Sequence, residues 1–197
     1  DQNLFRQYFP PQESLMFVMG IAERMFGDKY VKVNAKLWHP EAQAFAVVDA
    51  ATGKSLAGLK VDLYPRDGKY NHAAVWSVRG SSSRDQRVPR AALVVNFDRK
   101  GLTLDELETL LHEFGHALHN NLSNTRYSSQ AGTSTLRDFV EAPSQMLQNW
   151  VWNKKVLDTF AADYRDPSKK IPAATIAKMK EAKLERKQVE MVAVVRP

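Results

Sequence analysis

The sequence predicts an α+β protein in which a small antiparallel sheet is followed by helices. Residues 43–98 carry apolar side chains in short, strand-length runs, and the segments on either side carry them at helical spacing. No internal repeat interrupts this order. With 197 residues, 44% of them hydrophobic and 25% charged, the chain is long enough for one domain with a sizeable core.

The first half of the chain holds one predicted helix and four strand candidates. The helix covers residues 12–27 and ends at Gly27, which suits a C-cap. Two strands lie within QAFAVVDAATGKSLAGLKVDLYP and are joined by a turn at residues 51–54. The other two are HAAVWSV and AALVVNF, and the segment RGSSSRDQRVPR between them has the composition of a mobile surface loop.

A long helix is predicted from Leu104 to about Asn121. Thr103 precedes it as a good N-cap, and the acidic side chains in its first turns suit the helix dipole. A second helix is expected over about 136–152, and a further helical stretch ends at Asp166-Pro167. A last amphipathic helix is predicted over residues 171–187, and the tail VEMVAVVRP is apolar and strand-like.

Composition excludes several classes of site and partner. The chain has no cysteine, so disulfides and thiolate metal sites are excluded, and any zinc must bind His, Asp or Glu. The net charge of +6 is spread out and accompanies no nucleic-acid-binding motif. No apolar run approaches the roughly 18 residues of a membrane span. We therefore expect neither nucleic acid nor membrane as partner, and a cytoplasmic location for what looks like a piece of a longer protein.

The stretch LLHEFGHALHNN carries the strongest chemical pattern. His112 and His116 are four residues apart, which places both rings on one face of a helix, close enough to share a metal ion. Glu113 projects beside them, where it can hold a water molecule and take its proton. A motif of this length also arises by chance. Gly115 strengthens the metal interpretation, because a glycine in mid-helix costs about 1 kcal/mol and indicates a close backbone approach.

A third ligand is available on the next predicted helix. Glu141 lies 25 residues after His116 and shares a helix face with Asp138, Gln145 and Gln148. We expect Glu141 to bind the metal, and we expect Asp138 and Gln145 to orient the ligands through hydrogen bonds. The alternative is that this polar stripe is simply a solvated face.

Two further histidines have weaker patterns. His119 lies on the same general helix surface as His112 and His116, but a fourth protein ligand would close the position that a catalytic zinc keeps open. We expect it to be structural or to support the ligands. His72 opens a strand and is a candidate for contacting substrate, although a structural role is the more ordinary expectation.

Taken together, LETLLHEFGHALH, TRYSSQAGT and RDFVEAPSQMLQNWVW resemble the thimet oligopeptidase / oligopeptidase A family of zinc metallopeptidases. Upstream, DLYPRDGKYNHAA and AALVVNF fit the same family, so the resemblance covers about residues 1–184. It implies the zincin-like catalytic core of a mainly helical family, with one zinc ion per chain and short peptides as substrates. His112, His116 and Glu141 match the zinc ligands, and Glu113 matches the general base. A His/His/Glu set also binds manganese or cobalt.

The chain departs from the family in four respects. Gln148 stands where members usually carry Glu, and Asn120 where they carry a second His. Members are considerably longer, with a downstream Gly/Tyr/His-rich segment that binds substrate. Residues 185–197 match no family pattern. The alternative function is therefore a folded zinc-binding fragment with weak or absent activity, and apolar surface exposed by truncation predicts self-association.

Overall fold

The computed structural model describes residues 2–159, 162–163, 166–178 and 180–181 of the chain. Within these ranges a five-stranded sheet packs with several helices, which confirms the predicted α+β class. A 3-10 helix, Gln2–Tyr8, opens the chain, and the elements that follow it are α1 (Pro11–Phe26), β1 (Asp28–Val33), β2 (Gln43–Asp49), β3 (Ser55–Asp62), β4 (Ala74–Arg79), β5 (Arg90–Val94), α2 (Leu104–Asn121), α3 (Arg137–Val140), α4 (Ala142–Gln148), α5 (Lys154–Leu157), β6 (Ala162–Asp163) and β7 (Asp166–Lys170). Short 3-10 helices, Ser128–Gln130 and Asn149–Trp152, precede α3 and follow α4.

The sheet has the strand order β1-β2-β3-β5-β4 and is mixed, so the prediction of an antiparallel sheet is wrong at one pairing. β3 and β5 run parallel, with Leu59 opposite Ala91, whereas the other neighbouring strands of this sheet are antiparallel. After β3 the chain skips one position, forms β4 at the edge, and returns as β5 between them. No strand is predicted for residues 28–33, yet they form β1 directly after α1.

The core lies on one face of this sheet. Its buried side chains come from alternate positions of neighbouring strands, as the register of Phe45 with Leu59 and of Val61 with Leu93 shows. α2 contacts β3, β4 and β5, and places its own buried leucines and Phe114 in the same cluster. The sheet is therefore the platform that holds α2 in place.

α1 and α2 have the predicted bounds to within one residue. α1 ends at Gly27, whose φ of 70° gives the left-handed C-cap that glycine favours. α2 begins with a capping box: the Thr103 side chain accepts from the Glu106 N–H at 3.1 Å, and the Glu106 carboxylate accepts from the Thr103 N–H at 2.7 Å. The cap sets the start of the helix that carries His112 and His116.

The helix predicted over 136–152 is interrupted. α3 ends at Val140 and α4 begins at Ala142, with Glu141 between them, and the last turn is 3-10. Pro143 explains the break, because it has no N–H to donate and is tolerated only in the first turn of a helix. The ligand candidate Glu141 thus lies at a helix junction rather than in mid-helix.

Two other segments differ from prediction. The supposed mobile loop contains the bridge Ser82–Arg87, and buried Ser82 also donates to the Arg126 carbonyl at 3.1 Å. Residues 166–170 form β7, not a helix end, and Pro167 is compatible with the edge of a two-stranded sheet. Residues 173–178 and 180–181 are helical as expected, whereas the end of that helix and the strand-like tail lie outside the described residues. In the described ranges no helix is both long and apolar enough to cross a bilayer.

Candidate metal centre

His112 and His116 lie side by side on α2. Their ring centroids are 4.9 Å apart, and the rings meet edge to face at 81°. Both side chains are mostly buried, with 27% and 13% of their surface exposed. Their spacing of one helical turn therefore presents two Nε2 atoms toward the same point.

Glu141, at the junction of α3 and α4, adds a carboxylate to the two imidazoles. Its Oε2 lies 3.2 Å from Nε2 of His112 and 3.2 Å from Nε2 of His116. All three ligand atoms lie within 4.8 Å of one another. Two imidazole nitrogens and one carboxylate oxygen are a donor set that fits zinc with an open fourth position. The same set suits manganese or cobalt.

Gly115 allows the two ligand-bearing segments to approach. A Cβ atom on this residue would lie 2.6 Å from the Ser144 Cα and 2.8 Å from the Pro143 carbonyl oxygen. The close backbone approach that the sequence predicts at Gly115 is therefore confirmed. Because the helices touch here, the start of α4 is held against the turn of α2 that carries the histidines.

Ser144 holds the Glu141 carboxylate. Its hydroxyl lies 2.8 Å from Oε2 and 2.9 Å from the main-chain oxygen of Glu141, and it can donate to either. Burial raises the pKa of Glu141, but the Ser144 hydroxyl and the neighbouring histidines outweigh burial, so that the pKa is lowered overall. The side chain is thus kept ionised, as a metal ligand must be.

The outer nitrogens of the two histidines have different surroundings. Nδ1 of His112 donates to the Gln148 side-chain oxygen at 2.6 Å, whereas Nδ1 of His116 is buried and has no hydrogen-bond partner among the described residues. Burial lowers the pKa of His116. A low pKa favours the neutral imidazole that binds metal.

Glu113 lies beside this group and is 9% exposed. Burial raises the pKa of its carboxyl group; the electrostatic interaction with His112 lowers it, Glu141 raises it further, and hydrogen bonding from the Val75 backbone lowers it. Val75 belongs to β4, the edge strand of the sheet. A buried carboxyl with a raised pKa has the character of a general acid or base.

The remaining candidates lie apart from this arrangement. Asp138 and Gln145 are exposed, and among the described residues neither hydrogen-bonds to His112 or His116. His119 packs its ring edge-on to Phe139 at 6.1 Å, and burial lowers its pKa. His72 is exposed in the loop before β4, and its carbonyl accepts from the Asn96 side chain.

From the sequence, no role is assigned to two residues that hydrogen-bond to the proposed ligands. Gln148, not Asp138 or Gln145, makes the hydrogen bond to a ligand histidine, and Ser144 supports the ligand carboxylate. Both lie at helical spacing from Glu141, three and seven residues later. Asp138 and Gln145 also lie at helical spacing from Glu141, three residues before it and four after it, so spacing alone does not single out Ser144 and Gln148.

Comparison with known proteins agrees with this geometry. The family model described as "Peptidase family M3" matches residues 1–196. The chain is 38% identical to a thimet-like oligopeptidase of Dictyostelium discoideum over 93% of its own length, and 33% identical to saccharolysin of Saccharomyces cerevisiae over 89%. It is 30% identical to oligopeptidase A of Escherichia coli over 90% of its length.

The chain is short beside these relatives. It spans 29% of the Dictyostelium protein, 27% of saccharolysin and 28% of oligopeptidase A. The match nevertheless extends along almost the whole chain and includes every residue of the His/His/Glu group. On this evidence the chain belongs to peptidase family M3.

Proposed function

We propose that this chain is the zincin-like catalytic core of a zinc-dependent metallopeptidase that hydrolyses internal bonds of short peptides. One observation carries the proposal: His112, His116 and Glu141 converge within 4.8 Å, with buried Glu113 beside them. The proposed core comprises residues 1–184 and the proposed tail residues 185–197, and the family match runs past this boundary to residue 196. The cytoplasmic location and the self-association expected from the sequence stay predictions.

The roles of the side chains follow from their chemistry. His112, His116 and Glu141 would hold one zinc ion, which would polarise the scissile carbonyl and lower the pKa of a water molecule. Glu113 accepts a proton from the attacking water and passes it to the leaving amine. Its raised pKa suits both halves of this transfer, because a group that is too acidic would be a poor donor to the amine.

Peptide recognition is assigned to the edge strand β4. Among the described residues β4 pairs on one side, with β5, and α2 contacts the same strand. A sheet edge binds an extended peptide by adding it as a further strand. Val75 of β4 interacts with Glu113, so a peptide paired there would pass beside the proposed base. Short, extended peptides fit this arrangement better than folded proteins do.

The deciding experiment compares wild type with Glu113→Gln and with Glu108→Gln, the same substitution elsewhere on α2. Each protein is loaded with one equivalent of zinc and mixed with a short quenched-fluorescent peptide. We expect hydrolysis by the wild type and by Glu108→Gln. Glu113→Gln should lose at least about 100-fold in rate, the lower end of what a positioned general base contributes. Its zinc affinity should be retained.

Three other outcomes have clear meanings. Zinc bound by the wild type without hydrolysis would favour the alternative, a folded zinc-binding fragment of low activity. Equal hydrolysis by wild type and Glu113→Gln would overturn the assignment of the base. The metal site itself would be overturned if the wild type failed to bind zinc, or if replacing His112 or His116 left zinc affinity unchanged.

A further inference from the structure

The two histidines of the site differ in what holds their rings. Gln148 accepts a hydrogen bond from Nδ1 of His112 at 2.6 Å, a distance at the short end for an N–H···O bond. Nδ1 of His116 is buried without a partner among the described residues. His112 is therefore oriented by a specific side chain, whereas His116 is oriented only by packing and by Glu141.

The side-chain oxygen of Gln148 can only accept. A hydrogen bond to it therefore requires the proton of neutral His112 to reside on Nδ1. The lone pair is then on Nε2, the atom that faces Glu141 at 3.2 Å. A second residue that fixes the tautomer in this way is usual for metal-binding histidines, and a carboxylate in that place makes the imidazole a stronger ligand than a neutral acceptor does.

We propose that Gln148 is a positioning residue that holds His112 in its metal-binding tautomer. Because its amide is neutral, the site binds zinc less tightly than it would with a carboxylate there. The inference rests on the proposed function, since it takes His112 as a ligand. It assigns the orienting role to Gln148 rather than to Asp138 or Gln145.

The position of Gln148 supports this role. Gln148 is the last residue of α4. Two nearby side chains are buried in the core: Leu147 is 2% exposed and Val151 is 0% exposed. The backbone of Gln148 is therefore fixed relative to α2, which α4 contacts along the Gly115 turn. Gln145, one turn earlier, is exposed and provides a matched control on the same helix.

The test uses Gln148→Met, Gln148→Glu and the control Gln145→Glu. Nitrogen-15 NMR of the metal-free protein reports which ring nitrogen of His112 carries the proton. Competition with a chromophoric chelator reports zinc affinity. We expect Gln148→Met, which keeps the size but loses the acceptor, to lose the Nδ1-protonated form and about 10-fold or more in zinc affinity. Gln148→Glu should retain that tautomer and bind zinc more tightly than wild type. Gln145→Glu should match wild type.

The outcomes separate this inference from the proposed function. An unchanged His112 tautomer and unchanged zinc affinity in Gln148→Met would overturn the positioning role while leaving the peptidase proposal intact. Equal tightening of zinc binding by Gln148→Glu and Gln145→Glu would also overturn it, because added charge alone would then explain the gain. If wild type binds no zinc, the function fails, but the NMR measurement on metal-free protein still decides the role of Gln148. Should Gln148→Met not fold, the tautomer and affinity of Gln148→Glu decide it.

Discussion

The backbone of Ser144 lies where a side chain on Gly115 would have to go. A Cβ atom at Gly115 would come within 2.6 Å of the Ser144 Cα, closer than real Cβ contacts. α2, which carries two proposed ligands, and α4, which follows the third, therefore touch through main-chain atoms. Glu141 stands two residues before Pro143 in this contact, so its reach toward the histidines depends on how closely the helices pack.

Gly115→Ala should therefore force the helices apart. Alanine is the better helix former, but the overpacking it introduces typically costs about 1–3 kcal/mol. We expect the free energy of unfolding to fall by that amount and zinc affinity to fall with it, because Glu141 moves away from the histidines. Denaturant unfolding and chelator competition measure the two effects.

Gly20→Ala is the matched control. Gly20 is also inside a helix, α1, but a Cβ there would meet nothing within 4 Å. It should stabilise the protein by about 0.5–1 kcal/mol through helix propensity and lower unfolded-state entropy. If Gly115→Ala stabilised the protein to the same extent, the close packing of α2 and α4 would not be required.

Local features of the sequence were enough to predict α1, α2 and the metal-binding candidates. Gly27 and Thr103 are cap residues whose geometry depends only on their neighbours. The spacing of His112 and His116 fixes their relation on any helix. Predicting Glu141 as the third ligand required only that a second helix pack back against the first. The contact at Gly115 is where the two helices pack.

The errors have a common physical origin in long-range pairing. The parallel partnership of β3 with β5 depends on where β4 is placed, and no local pattern encodes that choice. The segment that contains buried Ser82 has the composition of a loop. The partner that orders Ser82 is the Arg126 carbonyl, 44 residues away, and local composition does not indicate it. The break at Glu141 has a different origin, because Pro143 makes it predictable from the sequence. The break changes which of the later residues face the site.

Ser144→Ala should weaken metal binding without touching a ligand. The variant removes the hydroxyl 2.8 Å from the Glu141 carboxylate, so the carboxylate loses an orienting contact and its pKa rises. Losing such a supporting partner typically costs about 10–100-fold in metal affinity. Chelator competition measures it, with Ser134→Ala, an exposed serine, as control. Unchanged affinity in Ser144→Ala would mean that Glu141 is positioned by its backbone alone.

Thr103→Ala should lower the free energy of unfolding by about 1 kcal/mol, the usual cost of losing an N-cap. The residue closes the capping box at the start of α2, so the loss falls on the helix that carries His112 and His116. Thr109→Ala is the control, because Thr109 lies inside α2 and its hydroxyl donates to the Asp105 carbonyl one turn earlier. That change should be neutral or slightly stabilising. Equal losses in both variants would argue against the cap.

Asp62 predicts a pH-dependent contribution to stability away from the site. Burial would raise the pKa of Asp62, but hydrogen bonds from Arg66, Lys69 and Trp38 outweigh burial and hold the pKa well below its ordinary value. The Lys69 side chain is itself only 3% exposed. Asp62→Asn would leave this buried ammonium without a counter-charge, which costs about 3–5 kcal/mol at neutral pH.

The sign of the pH dependence follows from the direction of that shift. A carboxyl whose pKa is lower in the folded state stabilises the fold above its ordinary pKa of about 4, and this contribution is lost as the pH falls further. The difference between wild type and Asp62→Asn should therefore be constant from neutral pH down to about 4 and shrink below it. Thermal or denaturant unfolding at several pH values measures this difference. Asp67→Asn, an exposed residue in the loop that follows β3, should stay within about 0.5 kcal/mol of wild type throughout. A difference for Asp62→Asn that grew on acidification would contradict the ion-pair explanation, because protonating Asp62 removes the charge that the substitution removes.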